Sequence, residues 1–264
     1  MQVVQSYPDG MFNWVDLAST DADSAKSFYS ELFGWSFEDK PIDGGGVYTM
    51  ATLHGYHVAG LSQHTPEMME QGIPSVWSSY ISHSDVDSVV SKATSAGGSL
   101  MIPPMQVMEE GRMAIIQDPS GAMVGVWQAQ KHIGAQLVNI PNTLVWNELQ
   151  TKDGDAAKAF YKEVFGWGDD SDPNGYVTYS INSRTQAGMI VLDDTYPVPP
   201  NWTTYFLVED VAAVTAKVKD LGGQAFMENN PAGELGIFSA VADPQGAAFV
   251  IMQFNGPVDA PPGY

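Results

Sequence analysis

Apolar residues recur along the chain with two periods, one typical of strands and one typical of helices. Residues 12–17 form a short run of large side chains, which predicts a strand. The cluster Ser19-Thr20-Asp21 follows this run and is typical of a helix start, and Gly34 is placed to end the helix. Between these limits one apolar face is predicted at helical spacing, formed by Ala25, Phe28, Tyr29 and Leu32.

Two further strands, residues 47–52 and 56–62, complete a unit of one strand, one helix and more strands. The same order then recurs. Residues 77–82 predict a strand, and a helical pattern begins at Val86 and ends at Gly97-Gly98. The closing strands, 112–117 and 122–128, meet at Asp118-Pro-Ser-Gly, whose proline and glycine favour a tight reversing turn. The pattern predicts two strand-helix-three-strand modules in this half of the chain.

The second half of the chain repeats the first half. WVDL and FYSELFGW return, with a shift of 132 residues, as WNEL and FYKEVFGW. With a shift of 125 residues, WSSYI returns as WTTYF and DPSGA as DPQGA. We therefore predict two domains, residues 1–130 and 143–256, joined by a linker at 131–142 and followed by a tail at 257–264.

The composition narrows the classes of partner. Eleven basic and 31 acidic side chains give a formal net charge of -20, which repels phosphate backbones and anionic lipid surfaces. We therefore expect no nucleic-acid partner and no membrane contact. There is no cysteine, so disulfides and thiolate metal sites are excluded. The first residues show no secretory signal, and we expect a cytoplasmic protein.

Paired modules of this order, with helices ending FY-x-x-x-FGW and a last hairpin built on DP-x-G, resemble the vicinal oxygen chelate superfamily. That superfamily includes glyoxalase I, extradiol dioxygenases, fosfomycin-resistance enzymes and bleomycin-resistance proteins. The resemblance covers nearly the whole chain and is closest to the two-domain type. It implies an α+β fold of tandem glyoxalase-like domains, each built from two βαβββ modules that form an open, cup-shaped sheet. Function does not follow from this fold alone.

In the metal-dependent members, His or Glu side chains on the cup strands hold a divalent ion, so the resemblance assigns ligand positions to this sequence. The first-strand position falls on Trp14 and Trp146, and neither can ligate a metal. The remaining positions, on the fourth, fifth and last strands, fall on Gly60 and Gly188, on Ser78 and Thr203 (or Trp77 and Trp202 after a slip of one), and on Gly125 and Val250. We therefore expect no metal cofactor at the usual positions. A divalent ion at a displaced site is the alternative.

Each domain keeps one carboxylate near the first-strand position. Because residues i and i+2 of a strand share a face, Asp16 lies on the same face as Trp14, and Glu148 on the same face as Trp146. A carboxylate desolvated by tryptophan has a raised pKa and can act as a general base or bind a cationic group. A purely structural role, capping backbone amides or pairing with a local hydroxyl, is the competing interpretation. The same parity places four further ligand-binding candidates inside the cups: Ser78, Tyr80, Thr203 and Tyr205.

The histidines offer a weaker candidate. His54 and His57 could supply two metal ligands, but their turn-like setting and the lack of counterparts in the repeat favour surface histidines.

Three functional hypotheses follow from these residues. The first is a protein that binds a small molecule in aromatic, acid-lined cups without a metal. The second is a metal-dependent lyase, isomerase or dioxygenase with a displaced site. In the third, one cup is degenerate and serves only as an interaction surface. In all three, the paired domains bury one another's surfaces within one chain, and the protein is a monomer or a homodimer.

Overall fold

The computed structural model describes residues 2–42 and 45–260. The predicted tail at 257–264 therefore lies outside the described residues from position 261 onward. In the first domain the elements are β1 (Phe12–Ser19), α1 (Ala22–Phe33), β2 (Ser36–Pro41), β3 (Val47–Leu53), β4 (Tyr56–Gln63), α2 (Pro66–Glu70), β5 (Val76–Ser82), α3 (Val86–Ser95), β6 (Ser99–Val107), β7 (Gly111–Gln117) and β8 (Met123–Ala129).

The second domain repeats this order, and its described residues, up to 260, form no counterpart of α2. Its elements are β9 (Leu144–Thr151), α4 (Gly154–Phe165), β10 (Gly168–Ser171), β11 (Val177–Ile181), β12 (Arg184–Val191), β13 (Asn201–Leu207), α5 (Val211–Asp220), β14 (Gln224–Pro231), β15 (Gly236–Ala242) and β16 (Ala248–Phe254). The predicted modules are confirmed. The periodicity did not predict α2, and it gave no bounds for β2 and β6, the strands that directly follow α1 and α3.

The helix boundaries follow from local chemistry. Asp21, at the N-cap of α1, accepts a hydrogen bond from the backbone N–H of Ser24, and Asp153 does the same at the start of α4. Gly34 and Gly166 end these helices with φ values of 72° and 74°, in the left-handed region that glycine enters without a steric penalty.

Each domain forms one eight-stranded mixed sheet from its two modules. The strand order is β2-β3-β4-β1-β5-β8-β7-β6 in the first sheet, and the second sheet has the equivalent order β10-β11-β12-β9-β13-β16-β15-β14. The first strands of the two modules, β1 and β5, pair antiparallel at the centre. The residues predicted to face the cup therefore lie on the four central strands of each sheet.

The hydrophobic cores are shared between the domains. One core combines Tyr29 and Phe33 of α1 with Phe206 and Phe249 of the second domain. The other joins residues of α3 and β7 to the Phe160 face of α4. The two sheets meet where the Ser79 hydroxyl on β5 donates to Asn147 Oδ1 on β9 at 2.6 Å. The predicted burial of one domain against the other is thus observed, and the cups face away from this interface.

No helix in the described part of the chain is long and apolar enough to cross a membrane.

Candidate functional site

The first cup holds a hydrogen-bonded cluster around Asp16. The hydroxyls of Tyr48, on β3, and Tyr80, on β5, each donate to Asp16 Oδ2 at 3.2 Å. The indole N–H of Trp14 donates in turn to the Tyr48 hydroxyl oxygen at 2.9 Å. The predicted residues Trp14, Asp16 and Tyr80 are therefore brought together, with a second tyrosine between them.

The second cup reproduces this cluster around Glu148. Tyr205 donates to Glu148 Oε1 at 2.7 Å, and Tyr176, which immediately precedes β11, donates to Oε2 at 3.0 Å. The indole N–H of Trp146 donates to the Tyr176 hydroxyl at 3.2 Å. Two domains with different sequences thus keep the same four-residue arrangement.

Burial has the largest effect on the pKa of both carboxyls. Desolvation raises the pKa of Asp16 to about 6, against the lowering effect of the Tyr80 and Tyr48 hydrogen bonds. Desolvation also raises the pKa of Glu148, again opposed by its two tyrosines. Both groups are therefore easier to protonate than an exposed carboxyl, which is the property expected of a proton acceptor or an ion-pairing group in a cup.

Sequence reasoning missed Tyr48 and Tyr176. Both occupy the same place in the repeat, at or just before the third strand of the module, with a shift of 128 residues. A tyrosine repeated at equivalent positions was the signal that could have identified them. Their side chains reach across the cup to a carboxylate on a strand that is not adjacent in the sheet, and strand parity does not report such a contact.

The tyrosines occupy the space next to the positions that the resemblance assigned to metal ligands. A Cβ on Gly60 would lie 1.9 Å from the Tyr48 hydroxyl oxygen, and a Cβ on Gly188 would lie 1.9 Å from that of Tyr176. On the last strand, a Cβ on Gly125 would lie 2.1 Å from the Tyr80 ring. No larger side chain fits at these three positions while the tyrosines keep their places.

The donor set therefore does not fit the metal of the superfamily. Each cluster contains one carboxylate whose hydrogen-bond partners are tyrosines, whereas a divalent site needs about three strong nitrogen or oxygen ligands. In residues 2–42 and 45–260 there is no group of three or more His, Cys, Asp or Glu side chains placed to hold an ion. Trp77 and Trp202, the alternative fifth-strand positions, lie in the cores between the domains.

The two hydroxyl candidates lie beside the clusters without joining them. Ser78 pairs with Asp16 across β5 and β1, and Thr203 pairs with Glu148 across β13 and β9, so both are on the cup face. The Thr203 hydroxyl donates to Asn201 Oδ1 at 2.8 Å, away from the carboxylate. Both stay predictions, and the residues that line the second cup's cavity include Tyr205 but not Thr203.

The first cup is partly filled by the linker. The His132 ring lies 4.4 Å from the Trp14 ring and 5.6 Å from the Trp127 ring, both measured between centroids. Trp127 follows Gly125 by two positions on β8 and therefore faces the cup, and its indole N–H donates to the His132 carbonyl at 2.8 Å. Desolvation lowers the pKa of His132 to about 4, so the inserted imidazole is neutral at pH 7. Trp14, against which the imidazole packs, is buried.

His57, predicted to be a surface histidine, is half-buried beside this linker residue, with ring centroids 5.9 Å apart. His57 is therefore less exposed than predicted. His54 lies in the turn between β3 and β4, with a φ of 53°, as predicted from its setting.

The second cup contains a cavity of about 780 Å³. Trp146, Glu148 and Tyr205 line it, and apolar side chains such as Phe238 and Met252 form much of its wall. Residues 257–259, which follow β16, lie at the repeat position of the linker residues that fill the first cup, but here they border the cavity. The volume is large enough for a small organic ligand.

Comparison with protein families matches both halves of the chain. Residues 11–126 match the model described as "Glyoxalase/Bleomycin resistance protein/Dioxygenase superfamily", and residues 143–182 match "Bleomycin resistance protein-like N-terminal".

Two bacterial proteins are similar over nearly their whole length. The Mycobacterium tuberculosis (strain CDC 1551 / Oshkosh) protein provisionally named glyoxylase CFP32 is 43% identical over 253 residues, which cover 94% of this chain and 96% of that protein. The anthracycline biosynthesis protein DauV of Streptomyces sp. (strain C5) is 32% identical over 256 residues, covering 92% of each chain.

Solved structures share the fold at low sequence identity. The Mn(II)-bound glyoxalase of Novosphingobium aromaticivorans has a TM-score of 0.66 and 17% identity, over 96% of this chain and 85% of its own. The 2,3-dioxygenase LapB of Pseudomonas sp. KL28 has a TM-score of 0.65 and 14% identity, over 100% of this chain and 96% of its own.

Proposed function

We propose that this chain, which belongs to the glyoxalase/bleomycin resistance protein/dioxygenase superfamily, binds a small, flat organic molecule in its second cup without a divalent metal ion. The observation that carries this proposal is the cavity of about 780 Å³ whose lining includes Glu148 with its two tyrosines. Glu148 is the group we expect to engage the polar end of the ligand.

The walls of the cup support a flat ligand. Trp146 and Tyr205 are only half-buried, so their ring surfaces remain available, and Phe238 adds a third aromatic side chain. Aromatic walls favour planar molecules because rings pack in offset or edge-to-face contact. The name of the Streptomyces relative, which refers to anthracycline biosynthesis, agrees with a planar aromatic ligand.

The two cups differ in the role that we propose for them. In the first cup His132 packs against Trp14 and takes up space that is open in the second cup. We therefore assign the ligand to the second cup, with one molecule per chain. The first cup then stabilises the fold and orders the linker.

Calorimetric titration with 1-naphthalenemethanol, a flat probe with one hydroxyl, tests this function. We expect saturable binding with a stoichiometry of one. Thr178 lines the cavity and pairs with Gly188 across β11 and β12, so Thr178→Trp places an indole inside the cup. We expect this variant to lose binding, while Tyr196→Trp, which changes a side chain 54% exposed and outside the cavity lining, keeps it. Equal binding by both variants would place the probe elsewhere and refute the proposal.

The metal-dependent alternative has a separate test. Metal analysis of the purified protein, combined with thermal unfolding in the presence and absence of a chelator, should show no stoichiometric divalent ion and no change in Tm. A near-stoichiometric ion whose removal lowers Tm would favour a lyase, isomerase or dioxygenase with a displaced site.

A further inference from the structure

The residues around Glu148 use their hydrogen-bond donors within the cluster. The Trp146 N–H donates to the Tyr176 hydroxyl, and the Tyr176 and Tyr205 hydroxyls donate to the two carboxylate oxygens of Glu148. An indole has one donor and a tyrosine hydroxyl has one donor, so none of these three residues has another proton to offer. The hydrogen-bonding capacity that remains unused consists of acceptor lone pairs on Glu148 and on the Tyr205 oxygen.

The charged side chains around the cavity are mostly acidic, so they also favour a ligand that donates hydrogen bonds or carries a positive charge. Among the residues that the structure describes, four acidic side chains and one basic side chain line it: Glu148, Asp172, Glu234, Asp259 and Arg184. The Arg184 guanidinium also donates to the backbone carbonyl of Ala260, which satisfies part of its donor capacity within the protein. A ligand with a carboxylate or a phosphate would meet repulsion here, and a bare carbonyl would find no free proton on the three donors beside Glu148.

Resting on the proposed function, we infer that the ligand of the second cup carries a hydrogen-bond donor, an ammonium or hydroxyl group at the end of an apolar aromatic body, and directs it at Glu148. This donor binds to the acceptor lone pairs of Glu148 that the two tyrosines leave free. The aromatic body lies against the wall that includes Phe238 and Met252. An ammonium group also offsets the acidic lining, so it should bind more tightly than a hydroxyl.

Four probes with one naphthalene body separate these chemistries: 1-naphthylmethylamine, 1-naphthalenemethanol, 1-naphthaldehyde and 1-naphthoate. The first two end in a donor, the third in an acceptor and the fourth in an anion. Titrated calorimetrically at pH 8, the amine should bind at least about tenfold more tightly than the aldehyde, the step expected for one hydrogen bond to a charged group. The alcohol should lie between them, and the naphthoate should bind most weakly.

Glu148→Gln makes the test specific to the carboxylate. The glutamine amide presents N–H donors in place of a carboxylate oxygen, so the preference for amine over aldehyde should fall to about one or invert. Glu163→Gln, an exposed position on α4, is the matched control and should keep the preference. If Glu148→Gln does not fold, Tyr205→Phe serves instead: it frees an acceptor site on Glu148 and should keep or increase the preference for the amine.

The outcomes separate this inference from the proposed function. If all four probes bind in the cup with equal affinity, or if Glu148→Gln keeps the amine preference, the ligand class is wrong and the binding function stands. If Thr178→Trp has no effect on any probe, the proposed function itself fails.

Discussion

The Tyr29 hydroxyl in the first domain donates a hydrogen bond to Asp243 Oδ2 in the second domain at 3.1 Å. The repeat supplies the reciprocal contact, since Tyr161 in the second domain donates to Asp118 Oδ2 in the first at 3.0 Å. Both tyrosine oxygens also accept an indole N–H, from Trp77 and from Trp202 respectively. The FY motif of each domain is thus bonded to the DP-x-G turn of the other domain.

Tyr29→Phe and Tyr161→Phe should each destabilise the protein. Each substitution leaves a buried indole N–H and a carboxylate oxygen without their partner, so we expect a loss of about 1–3 kcal/mol of unfolding free energy. The two losses should be similar because the two contacts have the same geometry. Urea unfolding at pH 7 measures them, with Tyr196→Phe, at a side chain 54% exposed, as the control. A loss in only one variant would contradict an equivalent role for the two contacts.

The close approach of Tyr176 to Gly188 gives a second prediction. Gly188→Ala places a methyl group where the Tyr176 hydroxyl lies, 1.9 Å away, so the tyrosine must move and its bond to Glu148 is lost. We expect a loss of about 1–3 kcal/mol from this overpacking. In a Tyr176→Ala background the same alanine should cost much less. Urea unfolding of the four proteins gives the coupling energy, and additive losses would show that the glycine does not serve the tyrosine.

The sequence predicted features that depend on residues close to one another in the chain, and it missed contacts between residues on separate strands. Strand and helix periods and the duplication predicted both sheets, and strand parity placed Asp16 and Glu148 on the cup faces. Tyr48 and Tyr176 were missed because their hydroxyls reach across a neighbouring strand, which parity does not encode.

The sequence raised the possibility that one cup is degenerate, but it did not show which cup the linker fills. His132 lies in a segment without periodicity, and its contact with Trp14 depends on the path of the linker after β8. The FY and DP-x-G motifs could be read as signatures of the fold. The hydrogen bonds between these motifs across the domain interface could not be predicted, because they depend on how the two domains dock.

The pKa of Asp16 predicts a pH dependence of stability. The folded state keeps the Asp16 proton up to a pKa of about 6, against an ordinary value of 3.8. Raising the pH across this interval therefore favours the unfolded state, which releases the proton more readily. Asp16→Asn removes this effect, so its stability relative to the wild type should increase by at most about 3 kcal/mol as the pH rises from about 4 to about 6.

Urea unfolding of Asp16→Asn and wild type from pH 4.5 to pH 7 tests this sign. Asp23→Asn, at a side chain 97% exposed, is the matched control and should show no such trend. A stability difference that shrinks as the pH rises would mean that Asp16 is ionised in the folded state at lower pH than its burial implies.

The raised pKa of Glu148 makes amine binding depend on pH. Burial favours the protonated carboxyl above the ordinary pKa of 4.5, whereas an ammonium ligand requires the carboxylate. Binding of 1-naphthylmethylamine should therefore tighten as the pH rises from about 5 to about 8, by at most about tenfold per pH unit while Glu148 is protonated in the free protein. Primary amines stay protonated over this range, so the trend reports Glu148.

Calorimetric titration at several pH values should show the rise in the wild type and a nearly constant affinity in Glu148→Gln. The same rise in that variant would assign the proton to another group and remove Glu148 from the binding site.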